Sequence, residues 1–220
     1  MTEHHEKRLA LITGASRGLG AALAETLSTH GWHVVAVGRT LGALEELDDR
    51  IQAKGGSATL ATMDITKDDA MRHLCRDIHD RWGHVDLWAH TAIHAPPMSP
   101  ADHIALKDWD KCVAINMRAT GFLIPMVAPL LLAAPQRATA LFVDDPASTQ
   151  KFMGAYGASK SAQMALARAW AAECVKTGPR ILVEDCAPMP TATRARFFPG
   201  EDRGKLTPCM TVAERLVALI

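Results

Sequence analysis

The sequence predicts a doubly wound α/β fold: a parallel sheet with helices on both faces, in three layers. Three observations carry this. Short continuous apolar runs alternate with helical stretches along most of the chain. The first run ends in a glycine-rich turn that opens directly into a helix. At 220 residues, 48% of them hydrophobic, the chain suits one α/β domain over 1–220 with a large core.

The elements follow in order. Leu9 to Thr13 is an apolar strand stopped by Gly14, and Leu19 to Ser28 has helical periodicity. His33 to Val37 is a second strand, and Leu41 to Ala53 an amphipathic helix closed by Gly55 and Gly56. Ala58 to Met63 reads as a third strand. The helix from Lys67 to Trp82 carries Asp68 and Asp69 in its first turn, where they favour the dipole. Val85 to Ala92 is a fourth strand, followed by a long helical stretch from about Asp102 to Ala134. Strand Ala138 to Val143, helix Gly154 to Lys176 and strand Arg180 to Asp185 complete the alternation. Beyond Asp185 the pattern weakens, and Thr211 to Ile220 alone looks helical. Right-handed crossovers leave one crevice at the carboxyl ends of the strands, where ligands bind in such sheets.

The charge balance, 24 basic against 24 acidic residues, recommends neither nucleic acid nor an anionic membrane as a partner. The longest apolar stretch, Phe122 to Ala134, is interrupted by Pro125 and Pro129 and is too short to span a bilayer. Met1 to Arg8 is charged and has no apolar signal core, so a cytoplasmic protein is expected, with His4 and His5 in a solvated tail. Cys75, Cys112, Cys174, Cys186 and Cys209 are scattered, as free thiols in a reducing compartment would be. His90 and His94 stand four apart, but on a strand end running into Pro96, Pro97 and Pro100. Helical ligand geometry does not fit there, and no metal site is expected.

Thr13-Gly14-Ala15-Ser16-Arg17-Gly18-Leu19-Gly20 lies between the first strand and the first helix. Glycines there permit a tight turn and close backbone approach to a pyrophosphate, and the helix N-terminus favours the anion. The spacing is G-x3-G-x-G. With Tyr156-Gly-Ala-Ser-Lys160, Asn116, and Asp64-Ile65 after the third strand, the chain resembles the short-chain dehydrogenase/reductase family, a Rossmann-type fold. Its cofactor motif is TGxxxGxG and its catalytic motif YxxxK. The resemblance runs to about Thr193. It implies a nicotinamide dinucleotide held by Gly14, Ser16, Arg17, Gly18, Leu19, Gly20, Asp64, Ile65, Ala92, Tyr156, Lys160, Pro188 and Thr193. A small carbonyl or alcohol substrate is implied with it.

The second strand ends at Gly38-Arg39, where NAD-selective sites usually carry an acid for the ribose hydroxyl. Arg39 and Arg17 offer two guanidinium forks to a 2′-phosphate, so NADP(H) is favoured over NAD(H). Tyr156, the single tyrosine in the chain, would exchange the proton. A free phenol, pKa about 10, is a poor base at neutral pH. Lys160 at i+4 shares its helix face and favours the phenolate. By resemblance, Lys160 also holds the nicotinamide ribose, and Asn116 anchors a water in a proton relay.

Four places depart from the family pattern. The catalytic Ser is missing: that position reads Phe142-Val143-Asp144-Asp145-Pro146. The family's NNAG reads His90-Thr91-Ala92-Ile93, and its PG reads Pro188-Met189. Relatives also usually carry a further helix segment and a last strand beyond the point matching Ile220. Asp145 in place of a hydroxyl would repel an oxyanion and raise the Tyr156 pKa, unless it is protonated, points away with Ser148 or Thr149 substituting, or faces a cationic substrate.

Two readings stay open: an NADP(H)-dependent oxidoreductase, and a dinucleotide-binding sensor or interaction module that has lost turnover. A third is a structural subunit without cofactor. A homodimer is expected, with a tetramer beyond it. The grounds are apolar Met164, Leu166, Ala169, Trp170 and Val175 on one helix and Phe122, Leu123, Met126 and Leu130 on another.

Overall fold

The computed structural model describes residues 7–220; His4 and His5 lie outside the described residues. Its elements are β1 (Leu9–Thr13), α1 (Gly18–Thr29), β2 (His33–Gly38), α2 (Leu41–Ala53), β3 (Ser57–Thr62), α3 (Asp68–Trp82) and β4 (Leu87–His90). They continue with α4 (Leu106–Cys112), α5 (Ala119–Leu132), β5 (Thr139–Asp144), α6 (Gly154–Glu173), β6 (Arg180–Asp185), α7 (Ala192–Phe197) and α8 (Cys209–Val217). The strands form a six-stranded sheet in the order β3-β2-β1-β4-β5-β6, each pair parallel. The order reverses between β1 and β4, the switch point at which open α/β sheets bind ligands.

The double winding is visible residue by residue. Leu9 and Leu11 of β1 join a core with Trp88, Phe142, Leu123 and Trp170, under α3, α5 and α6. Their neighbours Ala10 and Ile12 point to the opposite core, with Leu23, Leu44, Leu87 and Leu216, under α1, α2 and α8. Successive strand side chains alternate faces, so only a strand apolar at every position serves two helical layers. The fully buried LALIT run does so.

Most predicted boundaries hold within a residue or two. The fourth strand is shorter than expected, ending at His90, because Thr91 and Ala92 leave it to pack under the first glycine turn. The long helical stretch begins at Leu106 and changes at Val113–Arg118 to wider π-type winding around Asn116. Pro125 and Pro129 do not interrupt α5, since both sit on its exposed face, where each forfeits one backbone hydrogen bond. The run Leu106–Leu132 is therefore 27 residues long, enough by length and composition to cross a membrane, and its apolar window is 39% buried. Leu123, Val127 and Leu130 of that run are spent in the core.

The apolar side chains read as an association surface divide. Met164, Trp170, Leu123 and Leu130 are buried within the chain, whereas Leu166 and Val175 remain exposed. Helix α7 had no signal in the sequence. It is a short turn capped by Thr191, whose Oγ1 accepts from Arg194 N at 3.2 Å.

Candidate active site

The turn between β1 and α1 is held to β2 by two hydrogen bonds, Gly14 N and Ala15 N to Val37 O at 2.9 and 3.0 Å. Gly14 has φ +93°, and a Cβ there would lie 2.5 Å from Ala92 N. A Cβ on Gly20 would lie 2.3 Å from Gly14 O and 2.5 Å from Thr91 Oγ1. Both positions exclude any larger residue. Among the described residues no side chain caps α1, and its first turn carries no acid, so its leading N–H groups stay open to an anion.

These elements wall a cleft of about 530 Å³ at the carboxyl ends of the strands. Every cofactor residue expected from the sequence lines it. Gly14, Ser16, Arg17, Gly18, Leu19 and Gly20 come from the first turn, and Arg39 follows β2. Asp64 and Ile65 follow β3, Ala92 follows β4, Tyr156 and Lys160 project from α6, and Pro188 and Thr193 follow β6. Asp64 Oδ1 also accepts from Thr66 N and Oγ1, at 2.9 and 2.8 Å, fixing the turn after β3. His94 contributes a buried Nε2 with no partner among the described residues. Glycines that admit only backbone, an uncapped helix start and this orphan nitrogen together fit a dinucleotide.

Tyr156 is 4% exposed, and its hydroxyl donates to Asp145 Oδ2 at 3.0 Å. Asp145 Oδ1 accepts from Ala147 N at 3.0 Å, which caps the 3-10 turn Pro146–Thr149. Burial pushes the phenol's pKa far above its ordinary value, and the negative charges of Asp145 and Asp144 push it further. Lys160 donates to Val143 O and, at 2.7 Å, to Gln163 Oε1. Burial brings its ammonium down to about 8, against the opposing pull of Asp144 and Asp145.

A buried chain of hydrogen bonds continues from Lys160 along the floor of the cleft, where Gln163 and His90 also line it. Gln163 Nε2 donates to Thr120 Oγ1 at 2.9 Å, and Thr120 Oγ1 meets His90 Nε2 at 2.9 Å. His90 Nδ1 meets Thr13 Oγ1 at 2.7 Å, which also accepts from Trp88 Nε1 at 3.3 Å. With His90 protonated at Nε2 alone, every donor finds an acceptor, because Thr120 then donates to Asn116 O at 3.0 Å. Burial holds His90 down to about 3, with repulsion from Lys160 adding to it, so the ring stays neutral.

Asn116 does not line the cleft. Its Nδ2 donates to His94 O and Ser159 Oγ, both at 2.9 Å, and its Oδ1 accepts from His94 N at 2.7 Å. The side chain thus clamps the loop after β4 to α6. Among the possibilities for Asp145, one is overturned: it does not turn away in favour of Ser148 or Thr149. It faces Tyr156, Ser148 is buried and outside the cleft, and Thr149 is exposed.

Sequence reasoning missed Gln163, Arg194, Arg196 and Phe197, all of which line the cleft. Phe197 packs on Tyr156 with ring centroids 5.0 Å apart. Arg196 reaches back to Ala95 O at 2.9 Å, and Arg194 grips Glu201 through two bonds of 2.7 and 2.6 Å. Gln163 was findable, one turn from Lys160 on the same face. The others lie in α7, which carries no periodic signal.

The chain belongs to the short chain dehydrogenase family, whose sequence profile matches residues 8–202. An uncharacterized oxidoreductase of Staphylococcus epidermidis is 25% identical over 180 residues, 80% of this chain and 75% of that protein. Gluconate 5-dehydrogenase of Gluconobacter oxydans is 34% identical over 119 residues, 54% of this chain and 46% of that enzyme. Among solved structures, a short chain dehydrogenase of Shigella flexneri complexed with NADP superimposes with a TM-score of 0.86 at 27% identity, over 93% of this chain and 87% of that one. A 3-ketoacyl-ACP reductase from Sinorhizobium meliloti gives 0.83 at 28% identity, over 96% and 91%.

Proposed function

We propose that this chain is an NADP(H)-dependent oxidoreductase acting on a small molecule, with Tyr156 and Lys160 at the reacting end of the cleft. The observation that carries this is the convergence of the glycine turn, Arg39, Tyr156 and Lys160 on one cavity of about 530 Å³. The open N-terminus of α1 takes the pyrophosphate, and Arg17 and Arg39 take the 2′-phosphate. Bound nicotinamide supplies or accepts the hydride. Lys160 anchors the adjoining ribose with the donor it does not spend on Val143 and Gln163.

For an ordinary carbonyl, Tyr156 must hand its proton to the substrate oxygen, and for an alcohol it must accept one in return. In this protein that proton is donated to Asp145. Two negative charges about 4 Å apart repel by about 4 kcal/mol at an effective dielectric near 20, so Asp145 opposes an oxyanion beside it. Carbonyl reduction is therefore slow. That same hydrogen bond favours a second reading, a dinucleotide-binding sensor with little turnover. Calorimetric titration with NADPH, followed by NADPH oxidation against a carbonyl panel, separates the two. Binding without oxidation supports the sensor, and absence of binding overturns both.

The remaining properties proposed are one dinucleotide-binding domain over 1–220, a cytoplasmic setting consistent with free thiols, and a homodimer or tetramer. Exposed Leu166 and Val175 support the association. A monomer by light scattering at micromolar concentration would count against it.

A further inference from the structure

We propose that the reacting end of the cleft takes a cationic substrate with a carbon–nitrogen double bond, an iminium ion, and reduces it to an amine, with Asp145 as counter-ion. This rests on the nicotinamide-dependent reading above and names its substrate class.

The first ground is a carboxylate without a contacting cation, although Lys160 and Arg194 lie near enough to feel its charge. Asp144 is neutralised by Arg168 at 2.5 Å, and Arg194 is committed to Glu201. Among the described residues Asp145 has no ion-pair partner; it accepts only from Ala147 N and the Tyr156 hydroxyl. A carboxylate lining a ligand cleft in this state recruits a cation.

The second ground is the wall beside it. Tyr156 and Phe197 lie with centroids 5.0 Å apart and planes tilted by 55°. Ala95 and Met153 are buried in the same cluster, with Ile93 and Phe198 packed against it. Aromatic faces next to a carboxylate suit a positive charge carried on a hydrocarbon frame.

The third ground is the chemistry. Reduction of a ketone builds negative charge on oxygen and needs a proton from Tyr156, and Asp145 opposes both. Reduction of an iminium does neither. The substrate carbon accepts a hydride, one proton with two electrons, from reduced nicotinamide. The carbon–nitrogen π pair settles on nitrogen, and the products are a neutral amine and the oxidised cofactor. No bond to the protein forms and no proton passes through Tyr156. Asp145 keeps a weakly basic imine in its protonated, hydride-accepting form.

The test pairs cyclic imines with cyclic ketones of the same ring size, each assayed with NADPH. The wild type should reduce the imine with kcat/KM at least roughly tenfold above the ketone. Asp145→Asn keeps the acceptor for Ala147 N and removes the charge. It should lower imine kcat/KM roughly tenfold or more, while Asp145→Ser should move the preference toward the ketone. A second readout needs no turnover: the matching cyclic ammonium ion, titrated by calorimetry, should bind the wild type roughly tenfold more tightly than the cyclic alcohol, and Asp145→Asn should erase the difference. Thermal unfolding of both variants establishes that they are folded. If NADPH binds but the ketone is the equal or better substrate, or the ammonium ion has no advantage, the iminium assignment is overturned and the cofactor reading stands. If NADPH fails to bind, both fall.

Discussion

Tyr156 and Asp145 form a closed pair: the phenol donates to Oδ2 at 3.0 Å while Oδ1 holds Ala147 N. The pair ties the start of α6 to the turn after β5, and it withholds the proton that a ketone reductase would deliver. Asp145→Ser should therefore raise reduction of an activated diketone, by between about tenfold and about a thousandfold given the repulsion removed. Tyr156→Phe added to Asp145→Ser should abolish the gain. NADPH consumption across pH measures it. A wild type already fast on diketones, and slowed by Asp145→Ser, would show that the carboxylate assists carbonyl chemistry.

Arg17 and Arg39 line the cleft, and the end of β2 offers Gly38 where an acid would favour NAD. NADPH should bind at least about tenfold more tightly than NADH, about 1.4 kcal/mol. Arg39→Ala should weaken NADPH much more than NADH. Calorimetric titration of both cofactors decides; equal affinities would remove the arginines from the 2′-phosphate site.

The fold was legible because its signals are local. Continuous apolar strands such as LALIT mark a sheet covered on both faces, and Gly14 with Gly20 marks a place where backbone segments approach too closely for a side chain. Asp145 was legible as a departure, but its partner was not, since whether it faces Tyr156 depends on how the turn at Pro146 folds. The buried line from Lys160 through Gln163 and Thr120 to His90 joins residues up to 73 positions apart in three segments, so no spacing in the chain reveals it. Phe197 and Arg196 were missed for another reason. Helix α7 spans only Ala192–Phe197, less than two turns, and is held by tertiary contacts to Tyr156 and Ala95 rather than by periodicity.

Two glycines should respond oppositely to alanine. In Gly20→Ala the new methyl would sit 2.3 Å from Gly14 O, against backbone that cannot yield, so stability should fall by about 1–3 kcal/mol and NADPH affinity with it. Gly42 lies in the first turn of α2 with nothing within 4 Å of an added Cβ. Gly42→Ala should raise stability by about 0.5 kcal/mol through reduced freedom of the unfolded chain. Urea unfolding of both variants checks the contrast. A destabilised Gly42→Ala or an unaffected Gly20→Ala would contradict the packing described.

The last prediction concerns acid stability and His90. Its ring is 3% exposed between Trp88 and Phe142, bonded at both nitrogens, and held down to about 3 from an ordinary 6.5. Above pH 6.5 the ring is neutral folded or unfolded, and its titration contributes nothing to pH dependence. Between 6.5 and 3 the unfolded chain binds a proton that the folded ring refuses, so stability falls as pH falls through this window. Two units below 6.5, the loss from this one group is about 2.7 kcal/mol. His90→Asn places the family's residue at the end of β4 and cannot titrate. It should be less stable than wild type near neutral pH, by about 1–3 kcal/mol, through lost packing of the ring. Between about pH 7 and about pH 4.5 it should lose about 2 kcal/mol less than wild type, so the two curves converge. Urea unfolding of both proteins at the two pH values measures the convergence. Parallel losses would mean that His90 takes up a proton in the folded state, and that the buried line to Lys160 opens in acid.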